Sequence, residues 1–434
     1  MESLIPYLVP LLLLPFSAYL VFSIRKKASG QRKNLPPGSM GWPFLGENME
    51  LASLGCQKLI KDRMHKYSGH VFKTSLLGEK MAVLCGEQGN KFIFKNQNTL
   101  FARWAPPSLR KAIYQDLDAT KHQEPKATFD NFQYDILKPD ALKKYVLVMD
   151  SLALVEALPS TQKYALSLAC RIFMNREGWD HSGDFLKSLS RLTKGILSLP
   201  VNMLGTALNR AIKGGRVMVE ATNEDGEYMS DSMIVNVLIG LLLGAEYELS
   251  SLITIVIYYL AELPHIFNRV LEEQMEIAKS KGPNELLAME DLEKMKYTWN
   301  VVRECLRLTP PSIGGFSEST AEFTYAGFTI PKGWKVLWTS HSSHMNPDYF
   351  PEPEKFDPLR FEGSGPEPYT YVPFGGGARM CPGRSYTKLV TLVFTHNLVT
   401  RFRLEKVIPN EKMLFRSSPA PAHGLPLRLH PHKR

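Results

Sequence analysis

Apolar and polar positions change their pattern sharply along the chain. From Leu4 to Ile24, about 21 residues pass without a charge, long enough for a helix to cross a bilayer core. Arg25-Lys26-Lys27 follows at once and only Glu2 precedes, so the C-terminal flank belongs on the cytosolic side. A cleaved signal peptide fits less well: the run is long, the basic residues lie on the wrong side, and no Ala-x-Ala site follows. Pro6, Pro10 and Pro15 disturb a regular helix here. Residues 1–24 are therefore predicted to be a transmembrane anchor. Residues 25–43, basic as far as Asn34 and then Leu35-Pro-Pro-Gly-Ser-Met-Gly-Trp-Pro43, are predicted to be a stiff hinge.

From residue 44 to residue 434 the helical period dominates. Phe44 to Cys85 predicts amphipathic helical stretches that end in a strand, Met81-Ala-Val-Leu-Cys85. Leu137 to Leu263 predicts helix throughout. Within it, Ile234 to Leu263 is apolar enough to pass for a second span, but Asn236, Glu246 and Glu248 favour a buried core helix. Phe323 to Trp338 holds two apolar, β-branched runs around Ile330-Pro-Lys-Gly333, which predicts a small hairpin there. His341 to Gly365 is rich in proline and turn residues, and Arg384 to Phe402 has a helical pattern. No repeat and no low-complexity tract interrupts the chain. The expected fold is mainly α with a small β region, a single large domain behind an N-terminal membrane anchor.

Composition adds two constraints. A net charge of +9 over 434 residues, with no dense Lys/Arg stripe, suits a basic face toward an anionic membrane or an acidic protein and argues against nucleic acid. Five scattered cysteines (Cys56, Cys85, Cys170, Cys305, Cys381) suit a reducing compartment and at most one functional thiolate.

That thiolate has a conspicuous address. Phe374-Gly-Gly-Gly-Ala-Arg-Met-Cys-Pro-Gly383 sets one cysteine in a glycine-rich loop, with Arg379 two positions before it and a helical run after it. A thiolate is a strong, electron-donating ligand for haem iron and favours O–O cleavage. Gly377, Gly383 and their neighbours permit backbone geometry and close approach that side chains forbid. Backbone N–H groups at the following helix start should favour the anionic sulfur. Arg379 is a natural partner for an acidic group on a porphyrin. A second constellation lies upstream. Glu304-Cys-Leu-Arg307 places an acid and a base on one helix face, and Arg360 in Pro358-Leu-Arg-Phe361 is expected to bridge to Glu304.

In order and approximate spacing, these three motifs resemble the signatures of the cytochromes P450. The resemblance runs from Leu35 to the C-terminus and is densest from Leu271 onward. Ile330-Pro-Lys-Gly-Trp334, Asn346 to Pro358, Arg360 to Phe374 and Gly424 to His432 are similar to plant triterpenoid oxidases of the β-amyrin 28-oxidase type. The resemblance implies the P450 fold, haem b (iron protoporphyrin IX) with Cys381 as axial iron ligand, and a single-pass location in the endoplasmic reticulum membrane. It also implies electrons from NADPH-cytochrome P450 reductase. The implied reaction is O2-dependent oxidation of a hydrophobic triterpenoid, with methyl to carboxylic acid at C-28 as the type case.

Several segments depart from that family. Its oxygen-activating helix carries a glycine bend, then an acid and an alcohol that deliver protons. Aligned on Leu243 to Ser251, those positions hold Tyr247 and Glu248, so Glu246 or Glu248, with Ser250 or Ser251, are the candidate relay. Trp104 to Leu137 lacks the expected basic helix for a haem propionate, with Arg110 and Lys111 as substitutes. In Phe316-Ser-Glu-Ser319 a serine stands where these relatives place an arginine facing the haem. Ile212 to Val219 leads almost directly to the helix, so part of the roof over the substrate pocket is missing. Losing two haem-side cations should weaken haem retention by roughly 1.5–3 kcal/mol each. Two other readings therefore stand beside the monooxygenase: a shortened, catalytically impaired P450-like protein, and an O2-independent haem-thiolate isomerase or dehydratase.

Overall fold

The computed structural model describes residues 34–42, 45–107, 154–174, 240, 242–282, 285, 287–415 and 418–432. The expected anchor, Arg110, Lys111 and the 212–219 connection lie outside these residues.

Helix α1 (Asn48–Lys66) leads into strands β1 (Val71–Leu76) and β2 (Glu79–Leu84), then α2 (Gly86–Lys95) and β3 (Phe101–Arg103). After the segment that is not described come β4 (Leu154–Glu156) and α3 (Ala157–Met174). A π-helical turn, Gly244–Glu248, then opens α4 (Leu249–Glu262), followed by α5 (Pro264–Lys279), α6 (Met289–Lys294) and α7 (Lys296–Leu308). Next are β5 (Gly315–Ser319), β6 (Phe323–Tyr325), β7 (Phe328–Ile330), β8 (Lys335–Trp338) and the short α8 (His341–His344). The chain closes with α9 (Arg384–Val399), β9 (Phe402–Lys406), β10 (Met413–Phe415), β11 (Pro419–Pro421) and β12 (Pro426–Pro431). The order β1-β2-β8-β5-β3 makes the main sheet, β4-β12-β9 a smaller one, and β6-β7 and β10-β11 two hairpins.

Two turns explain where the strands differ from expectation. Val71 to Leu84 is a hairpin and not helix, because Leu77 and Gly78 both take positive φ (56° and 81°), the geometry that joins twisted antiparallel strands. The second hairpin turns at Ala326-Gly327 (φ 49° and 80°), earlier than Ile330 to Gly333, which frees β8 to pair in parallel with β2. β4 interrupts the stretch expected to be all helix because β12 pairs with it.

Helix α4 is the axis of the core. On one side Ile253 and Ile257 pack with Tyr164, Leu168, Val390 and Phe394 of α3 and α9. On the other, Leu252, Ile255 and Val256 pack with Val270, Val301, Val302 and Leu306 of α5 and α7. A helix apolar all round belongs inside, which accounts for the run that resembled a membrane span. Among the described residues no single helix is long and apolar enough to cross a membrane, and the chain bends by 110° between α4 and α5.

Candidate active site

Two main-chain hydrogen bonds close the cysteine loop. Gly375 N–H donates to Val372 O at 3.0 Å, and Cys381 N–H donates to Phe374 O at 2.9 Å. Between them lies the 3-10 turn Gly377–Arg379, which rests on α2. A Cβ on Gly376 would stand 2.5 Å from the Phe94 ring, and one on Gly377, at φ +69°, 2.6 Å from Phe94 O. Only glycine admits that approach. Gln97, two residues past α2, pins the turn: Nε2 donates to Gly376 O and Oε1 accepts Arg379 N–H, both at 3.0 Å. No motif in the sequence marks Gln97. Arg379 braces the same corner, with Nη2 donating to the carbonyls of Gln97 and Phe101, the latter at 2.9 Å.

Cys56, Cys85 and Cys305 are buried, whereas Cys381 is accessible. Its sulfur is nonetheless deep. Burial pushes the thiol up to about 11, the charge of Glu248 adds to the rise, and a hydrogen bond from the Gly383 backbone opposes it. Gly383 caps α9 at its N-terminus. The backbone donor at this helix start thus acts in the direction expected, toward the anion, while burial acts more strongly against it.

The π turn sorts the five candidates on the facing helix. Glu246 is 1% exposed, its Oε2 has no hydrogen-bond partner, and burial raises its carboxyl to about 8. Glu248 is accessible by surface, yet burial raises its carboxyl too, and its charge reaches Cys381. The two glutamates therefore differ in setting, with Glu248 the one that addresses the sulfur. Tyr247 is half-buried, and its carbonyl accepts Ser250 Oγ at 3.2 Å. Ser251 Oγ donates to Pro419 O at 2.8 Å and accepts from Ser418 at 3.0 Å. Both serine hydroxyls thus donate to carbonyls and not to either glutamate.

The ion network forms a buried knot beneath the loop. Arg307 grips Glu304 with two bonds (Nε–Oε2 2.7 Å, Nη2–Oε1 2.8 Å), and neither side chain is exposed. Arg360 Nε lies 3.4 Å from Glu304 Oε1, and Asp357 N–H donates to the same oxygen at 2.9 Å. Arg307 Nη1 also donates to His344 O at 2.8 Å. His344 Nε2 accepts Val372 N–H at 2.9 Å, so its Nδ1 carries the proton that reaches Arg307 O, at 3.2 Å. The knot is thereby tied to the start of the cysteine loop through His344, a residue the sequence reading did not single out.

The family model described as Cytochrome P450 matches residues 126–420, more than half of the chain. The chain belongs to the cytochrome P450 family. As a P450 it is a haem-dependent monooxygenase. Beta-amyrin 6-beta-monooxygenase of Solanum lycopersicum is 45% identical to it over 474 residues, covering 99% of this chain and 100% of the relative. Beta-amyrin 28-monooxygenase of the same plant is 45% identical over 453 residues, 94% of each chain. The counterpart in Vitis vinifera is 43% identical over 446 residues, 92% of this chain and 93% of the relative. Among solved structures, retinoic acid-bound cyanobacterial CYP120A1 matches with a TM-score of 0.81 at 25% identity, covering 93% of this chain and 100% of that one.

The residues of this P450 fit haem. An accessible sulfur in a glycine-rich loop, with a backbone donor at Gly383, suits a thiolate ligand to haem iron. A metal at the sulfur also removes the mismatch between burial and charge, since a coordinated thiol loses its proton.

Proposed function

We propose that this P450 oxidises a pentacyclic triterpene of the β-amyrin type, with O2 and electrons from NADPH-cytochrome P450 reductase. The observation that carries the reading is the accessible Cys381, within reach of the Glu248 charge, in a chain similar along nearly its whole length to β-amyrin monooxygenases. When bound, the haem supplies the oxidising chemistry. Cys381 would hold its iron, Phe374, Gly377 and Gly383 would shape the loop around it, and Arg379 would steady a propionate. Glu304, Arg307 and Arg360 hold the loop's foundation. Glu248, at the position of the family's alcohol, would handle protons. Glu246 is the buried acid of the same turn, Tyr247 lies between the two glutamates, and Ser250 and Ser251 in the first turn of α4 support it. Residues 1–24 anchor the chain in the endoplasmic reticulum membrane, 25–43 form the hinge, and 44–434 form the cytosolic catalytic domain.

Two carbons compete as the site of attack. C-28 is named in several relatives, while 6-beta oxidation is named in the relative that covers 99% of this chain. Microsomes containing the protein and its reductase, supplied with NADPH and β-amyrin, α-amyrin or lupeol, decide between them. NADPH- and O2-dependent product oxidised at either carbon supports the reading. Loaded, reducible protein that converts none of the three excludes this substrate class.

A further inference from the structure

The serine at position 317 leaves a cation missing if the chain is compared with the triterpenoid oxidases it resembles. The sheet supplies one from the neighbouring strand. In the antiparallel pair β3–β5, Arg103 stands directly opposite Ser317. Directly opposed residues project from the same face, their Cβ atoms about 4.5–5.5 Å apart. A guanidinium on β3 therefore starts from the same face, and the same place along the sheet, as an arginine on β5 would.

That face is the one the cysteine loop rests on. Gly315, two residues from Ser317, is opposite Trp338, and a Cβ on loop residue Gly375 would come within 3.0 Å of the Trp338 ring. Arg379 of the loop donates to the carbonyl of Phe101, two residues before Arg103. The acid of β5, Glu318, alternates to the other face, where Lys335 takes it at 2.7 Å. Ser317 is buried and Arg103 is exposed. Two planar cations held at one corner repel each other, and a carboxylate between them removes the repulsion while accepting paired N–H donors.

We infer that Arg103 and Arg379 together receive a propionate carboxylate of the haem, Arg103 standing in for the arginine that position 317 lacks. The inference rests on the haem reading of Cys381. No covalent step is involved. The ligand is a carboxylate on a flat, otherwise apolar macrocycle.

The test is haem release from the full-length ferric protein to excess apomyoglobin, using haem b and haem b dimethyl ester, whose propionates carry no charge. Arg103→Gln should release haem b about tenfold faster than the parent or more, the scale of one charged hydrogen bond. It should release the ester at the parent rate. Placing Ser317→Arg in the same chain should restore slow release of haem b, and it serves as the folded comparison if Arg103→Gln alone does not fold. Unchanged release of haem b, equal acceleration of both pigments, or failure of the double variant to restore retention overturns the inference. A parent protein that takes up neither pigment sinks the haem reading itself, a result distinct from these.

Discussion

Gln97 Oε1 accepts the backbone N–H of Arg379 at 3.0 Å, two residues before Cys381, and its Nε2 holds Gly376 O at the same distance. One amide thus fastens both sides of the turn that presents the sulfur. Replacing Gln97 by Leu strands a donor and an acceptor in a partly buried corner, at a cost on the order of 2 kcal/mol or more. The expected result is a lower thermal midpoint and faster pigment loss, read together by scanning absorbance of the loaded protein.

The Glu304–Arg307 pair gives a sharper contrast. Both side chains are fully buried, so Glu304→Gln alone strands Arg307 as a buried charge and should cost roughly 3–5 kcal/mol. Glu304→Leu combined with Arg307→Met removes both charges of the pair, leaves Arg360 bonded to the carbonyls of Pro351 and Glu352, and should cost less than the single change. Urea midpoints of the three proteins check the order.

Acid should destabilise the fold through its buried histidines. Burial holds His344 down to about 3, His341 to about 4 and His396 to about 4, below the usual 6.5. Their folded values are depressed, so the unfolded chain binds more protons below about 6.5. Stability is fully present above that pH and falls as pH drops toward 4. Each histidine should contribute about 1–2 kcal/mol of loss between pH 7 and 5. His396→Gln should flatten the dependence of the urea midpoint over that range.

Glu246 works in the opposite direction. Its carboxyl is raised from 4.5 to about 8 by burial, so the stability of the neutral acid is whole below 4.5 and is lost as pH rises through 8. Glu246→Gln should match the parent near pH 5 and exceed it increasingly toward pH 8, by at most about 1.4 kcal/mol per pH unit. Thermal midpoints across that interval provide the measurement. A constant offset at all pH values would mean that the carboxyl's charge plays no part.

The cysteine loop and the Glu304, Arg307 and Arg360 constellation were legible in one chain because their spacing is local and their residue types are chemically narrow. The apolar run before Leu263 was legible as core for a similar reason: its polar residues are too many for lipid. The Val71–Leu84 hairpin was not legible, since its turn relies on a leucine at positive φ beside Gly78. Gln97 and His344 act through backbone groups hundreds or tens of residues away, and no local pattern announces such partners. The facing of Glu246 and Glu248 depended on a π turn, and on a helix a one-residue change of phase swings a side chain by about 100°.

The central claim is that Cys381 binds the haem iron, and the reduced carbon monoxide difference spectrum of Cys381→Ala beside the parent tests it most directly. The parent should show a thiolate-type band, and the variant should lose that band together with most of the pigment. A variant that keeps the parent's spectrum and haem content would contradict it.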